Sequence, residues 1–127
     1  MKCRGIRGAT TVDANTKQDI YASTKELLHE MIKTNGVKQD DIASIIFTVT
    51  DDLNAAFPAK AAREMGMMNI PLLCSREINV HNSLQSCLRI LILFNTNKKP
   101  DEIKHIYLKG AANLRSSEGA PKSAAEE

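Results

Sequence analysis

Few side chains in these 127 residues are placed to do chemistry, and most of them are cations. Arg89 is the one charge inside SCLRILILF (86–94), an apolar run long enough to cross a core as a single strand and too short to span a membrane. Strand alternation puts Cys87, Arg89, Leu91 and Leu93 on one face and Leu88, Ile90, Ile92 and Phe94 on the other. An unpaired buried guanidinium is costly, so Arg89 either reaches solvent or meets an anion. Arg7 sits in CRGIRGA (3–9), where flanking glycines let a ligand or a second backbone come close. Arg4 has the opposite parity and cannot share its face. Lys60 and Arg63 in FPAKAAREMG (57–66) are spaced i, i+3 and share one face of a short helix. Glu77, just past PLLCS (71–75), and Tyr107 in HIYLKGA (105–111) complete the polar set. Arginine binds carboxylates through paired hydrogen bonds, so several converging on one pocket would hold a small polyanion. The residues alone name no reaction.

Other chemistries find no support in the sequence. It holds no plausible nucleophile–base pair and no glycine-rich phosphate loop. His29, His81 and His105 are scattered without metal-ligand spacing, so neither a metal nor a cofactor is expected. Asp51-Asp52 reads as a turn former or cap rather than an acid–base pair. A net charge of +2 and five aromatic residues argue against nucleic acid. Three cysteines with no CxxC pair and a polar N-terminus point to reduced thiols in the cytoplasm, and no apolar run reaches membrane length.

These side chains need elements to position them. The first strand is expected over 3–9. Asn15 or Thr16 caps a helix running to about Thr34, with Asp19 closing a capping box and Asn35-Gly36 as the stop. Its stripe is Ile20, Leu27, Leu28, Met31 and Ile32. A second core strand follows at ASIIFTVT (43–50), then the loop DDLNAA (51–56) and a helix opened by Pro58 and ended by Gly66. Phe57 is expected in the core, and Glu77 is expected to pair with Arg76 or cap a turn. Short strands at 71–75, 86–94 and 105–111 complete the set, with a helical turn near Pro100. The fold class is α/β (α+β), a mixed sheet of four to six strands with one long and one short helix. The domain is read as 1–115 and residues 116–127 as a mobile tail holding one lysine and three glutamates, which leaves 16 basic against 12 acidic residues in the folded part.

Taken together, RGIRGATTV at 4–12, FPAKAAR at 57–63, CxxE at 74–77, LR at 88–89, and HIYLKGA followed by LR at 105–115 resemble the monofunctional AroH-class chorismate mutases. The likeness runs from about Cys3 to Arg115. It implies a cofactor-free rearrangement of chorismate to prephenate, on the way to phenylalanine and tyrosine, by a homotrimer that forms a pseudo-barrel with sites at its interfaces. By that resemblance Arg89 would meet the ether oxygen as its bond to carbon breaks, Arg7 and Tyr107 the side-chain carboxylate, and Glu77 the ring hydroxyl. Cys74 would line the same region as Glu77, with Ser75 and Arg76 beside it in the CxxE segment. Phe57, Lys60 and Arg63 would come from the neighbouring subunit, Ala59 would be a further substrate-binding position, Leu73 and Leu114 would be wall positions, and Arg115 would stand at the mouth. The alternatives are an imine deaminase of the RidA type and a trimer that binds small anions without turnover.

Overall fold

The structure, a computed structural model, describes residues 1–116. The tail read as starting at Ser116 falls, from residue 117 on, outside the described residues. The order is β1 (Lys2–Thr11), α1 (Lys17–Asn35), β2 (Ile42–Val49), α2 (Ala59–Glu64), β3 (Leu72–Arg76), β4 (Cys87–Thr96), β5 (Ile106–Tyr107) and α3 (Asn113–Ser116), with three short 3-10 turns between them. The five strands form one mixed sheet in the order β3-β2-β4-β1-β5. β4 is central and antiparallel to β1 and β2, while β3 and β5 join the edges in parallel.

α1 begins where Thr16 Oγ1 accepts from the Asp19 amide at 3.1 Å and ends at Gly36, whose φ of 60° suits a residue without Cβ. Its stripe of Ile20, Leu27, Leu28 and Met31 is fully buried against one face of the sheet, where Ile6, Ile45, Phe47, Leu88, Ile90, Ile92 and Phe94 point. Gly8 lies under this helix: a Cβ there would stand 2.4 Å from Met31 Sδ, so the strand glycine admits the helix. Buried Asn35 anchors the end of α1. Its amide donates to the Met31 and Lys104 carbonyls at 2.9 and 2.8 Å and accepts from the Lys104 amide at 2.8 Å.

Two expectations need correction. HIYLKGA is not a strand throughout: only Ile106–Tyr107 pairs, because Lys109 turns to φ 50° and Lys109–Ala111 coils into a 3-10 turn. Gly110 packs there so tightly on Thr11 that a Cβ would meet its Cγ2 at 2.8 Å. Phe57 is not core but 74% exposed, since Ala59, Ala61 and Ala62 already fill the space under α2.

No helix among the described residues is long and apolar enough to cross a membrane. Among the described residues, neither α1 nor α2 covers the sheet's second face, where the four-residue α3 packs Leu114 beside Ala9 and Cys87. Ile46, Leu91 and Leu93 are only half-buried there, and Leu73 is 61% exposed.

Candidate active site

Strand register assembles the site row by row. Tyr107 of β5 pairs with Ala9 of β1, Ala9 with Arg89 of β4, Arg89 with Thr48 of β2, and Thr48 with Ser75 of β3. Residues paired across strands share a face, so this row crosses the whole sheet on the side opposite α1. The neighbouring row holds Arg7, Leu91, Ile46 and Leu73. Arg7 and Arg89 are therefore diagonal neighbours, and a cavity of about 270 Å³ lies over them, lined also by Ala9, Ile46, Thr48, Leu91 and Tyr107. The Arg7 backbone amide donates to His105 Nδ1 at 3.0 Å, which ties the start of β5 to β1 and keeps Tyr107 beside this cavity.

Arg89 is held but not satisfied. Its side chain is 17% exposed, and Nε lies 3.5 Å from Glu77 Oε2. That is ion-pair distance without hydrogen-bond geometry: among the described residues, Nε is buried with no hydrogen-bond partner. Glu77 Oε2 instead accepts from Thr48 Oγ1. A buried donor left unmade costs about 1–3 kcal/mol, a cost that an incoming oxygen acceptor would relieve.

Glu77 does not pair with Arg76, contrary to expectation. Alternation along β3 sends the two to opposite faces, and Arg76 reaches Asp51 instead, with Nε and Nη2 at 2.9 and 2.7 Å from Oδ1. Asp52, the other half of the acidic pair, accepts from Ser86 N at 2.9 Å and Ser86 Oγ at 3.2 Å, and from Thr50 Oγ1 at 2.5 Å. These bonds, the Thr50 hydroxyl first, hold its carboxyl below the usual range and fix Ser86, which sits at φ 51° just before β4. The pair is structural, as a turn reading predicts.

The remaining candidates gather elsewhere in the chain. Phe57, Lys60, Cys74, Ser75 and Arg76 line a second hollow of about 910 Å³ between α2 and β3, with Lys17, Tyr21, Asp51 and Asn54. Within the chain Cys74 lines this hollow, while Glu77 stands beside Arg89. Ala59 is buried in α2, and its backbone amide and the exposed Arg63 guanidinium both act to lower the Cys74 pKa. Burial still raises the Cys74 pKa overall, and burial pushes Cys87, behind Arg89, up to about 11. Both stay neutral thiols at neutral pH, so neither is an activated nucleophile. Leu114 is half-buried against the cluster of Ala9, Cys87 and Ala111, beside Tyr107. Arg115 lies in the backbone of α3, with its side chain outside the described residues.

Thr48, Ala9, Ile46 and Leu91 belong to the cavity but were not singled out in the sequence. Parity in ASIIFTVT does separate Ile46 and Thr48 from Phe47. Only the register shows that Thr48 faces Arg89.

Fold and site define a class: a small α+β domain whose sheet face opposite α1 gathers two arginines, a tyrosine and a carboxylate around one cavity, an arrangement suited to a compact anion. A sequence model of the family described as chorismate mutase type I matches residues 3–117. The chain is 48% identical over 113 residues to chorismate mutase AroH of Thermus thermophilus, covering 88% of this chain and 93% of that protein. It is 40% identical over 116 residues to chorismate mutase AroH of Bacillus subtilis (strain 168), covering 91% of each. Among solved structures, a chorismate mutase from Clostridium thermocellum superposes with a TM-score of 0.84 at 55% identity, covering 85% of this chain and 96% of that one. The chain belongs to the chorismate mutase type I family, and its function is that of a chorismate mutase, an isomerase.

Proposed function

We propose that this chain rearranges chorismate to prephenate as a cytoplasmic homotrimer in aromatic amino acid biosynthesis, each site forming where the arginine cavity of one subunit meets the α2–β3 hollow of the next. The observation that carries the proposal is the buried Arg89 Nε, without a hydrogen bond among the described residues, in a cavity shared with Arg7 and Tyr107. Two features support the assembly. Residues of complementary character are split between two hollows of one subunit, and the sheet face opposite α1 is apolar at Ile46, Leu73, Leu91 and Leu93.

The reaction is pericyclic: one carbon–oxygen bond breaks as one carbon–carbon bond forms, and no proton moves. Arg89 donates to the ether oxygen, where negative charge grows. Arg7 and Tyr107 hold the side-chain carboxylate, and Glu77 accepts from the ring hydroxyl. Phe57, Lys60, Arg63 and Cys74 of the neighbouring subunit close the site, with Ala59, Leu73, Ser75, Arg76 and Leu114 as surrounding wall and Arg115 at the mouth. A millionfold acceleration needs about 8 kcal/mol. Charge-assisted hydrogen bonds give about 1.5–3 kcal/mol each, so selection of the compact, chair-like conformer must supply much of the rest.

Subunit mixing tests this arrangement with chorismate turnover as the readout. Arg63→Ala and Arg89→Ala trimers are each expected to be nearly inactive. Refolded together at equal ratio, random assembly in a closed head-to-tail ring places both arginines in about a quarter of the sites. Recovery to about that fraction of wild-type activity is expected. Mixed trimers with no recovery would contradict shared sites.

A further inference from the structure

Thr48 is the residue the site reading leaves without a task, and its surroundings give it one. Its Oγ1 donates to Glu77 Oε2, the same oxygen that lies 3.5 Å from Arg89 Nε. Thr48 is also directly opposite Arg89 across β2 and β4, and it lines the Arg7–Arg89 cavity. One carboxylate oxygen is thus addressed by two donors from adjacent strands. The hydroxyl makes a hydrogen bond with it, while the guanidinium Nε stays buried and makes none among the described residues.

We propose that Thr48 is a positioning residue that keeps Glu77 from closing onto Arg89, so that the guanidinium stays open to substrate. The inference rests on the assignment of Glu77 and Arg89 to the substrate site. An arginine and a carboxylate at this separation need to move by only several tenths of an ångström to form a charge-assisted bond of about 2.7–2.9 Å. The threonine hydroxyl opposes that movement by occupying Oε2 from the β2 side. A β-branched residue on a strand has few rotamers, so the hydroxyl is held in place. With the hydroxyl gone, Glu77 relaxes onto Arg89, and substrate must break that pair before it can bind. The penalty falls on binding: once chorismate occupies the site, Arg89 makes the same contact with the breaking bond.

Thr48→Val keeps shape and strand propensity and removes only the hydroxyl, so a folded trimer is expected. Its KM for chorismate should rise about tenfold while kcat changes less than about threefold, the signature of a lost ground-state interaction. Thr48→Ser restores the donor and should bring KM back to within about twofold of wild type. In a Glu77→Gln background there is no carboxylate to collapse onto Arg89, so adding Thr48→Val should change KM by less than about twofold. Wild-type KM in Thr48→Val, failure of the serine variant to restore it, or the same tenfold rise in the glutamine background would each overturn the proposal. Glu77→Gln alone with wild-type kcat/KM would remove Glu77 from the substrate site, which overturns the site reading and this inference with it.

Discussion

Replacing Arg89 by alanine should be the most damaging single change in the cavity, and the structure sets its size. The side chain is 17% exposed and bordered by Glu77, Thr48 and Arg7, so its position is fixed before substrate arrives. Its Nε has no competing hydrogen bond among the described residues, and no internal bond must be broken to use it. If Nε and one terminal nitrogen both serve the substrate at about 1.5–3 kcal/mol each, truncation removes about 3–6 kcal/mol. At 1.4 kcal/mol per tenfold, kcat/KM falls by about two to four orders of magnitude. Most of that loss belongs in kcat, because charge grows on the ether oxygen only as its bond breaks. Arg89→Lys retains the charge and loses the planar fork, so it should recover only part of the activity. The assay is the loss of chorismate's ultraviolet absorbance, with prephenate confirmed chemically and the oligomeric state compared with wild type by sedimentation. An Arg89→Ala variant of unchanged oligomeric state with activity within about threefold of wild type would contradict this role, since no pre-organised charge-assisted bond is worth so little.

Further outcomes follow from packing and charge. Gly8→Ala drives a Cβ to 2.4 Å from Met31 Sδ in the core, and overpacking of this kind should cost about 1–3 kcal/mol in a urea unfolding titration. Asn35→Ala strips three hydrogen bonds from the Lys104 and Met31 backbone and should destabilise by about 2–3 kcal/mol, with the kinetics of the remaining folded enzyme unchanged. Asp52 has its pKa lowered in the folded state from a reference of 3.8, chiefly by the Thr50 hydroxyl bond, so its stabilising contribution is present above that reference and lost as pH falls through the lower, folded value. Thermal melts of wild type and Asp52→Ala should therefore differ at pH 6 and converge in strong acid; a difference that does not depend on pH would contradict the role given to the ionised carboxylate.

Local signals were legible in the sequence and non-local ones were not. The Thr16 cap and the Gly36 stop depend on neighbours in the chain, and both stand where the pattern places them. Parity alone put Arg89 on the face opposite Leu88 and Ile90, and separated Arg7 from Arg4, whose Nε donates to the Lys98 carbonyl. The reason for Gly8 lies 23 positions away in Met31, which no strand pattern can reveal. Register was equally hidden: that Thr48 faces Arg89, and Glu77 meets both, depends on how three strands align. HIYLKGA looked like a longer strand because its composition is strand-like, whereas the close approach of Gly110 to Thr11 ends it after Tyr107.

The central claim is tested most directly by incubating the purified chain with chorismate and following substrate and product by NMR. Saturable, one-for-one conversion to prephenate, abolished in Arg89→Ala, is the predicted result. A folded protein that leaves chorismate unchanged would contradict the account.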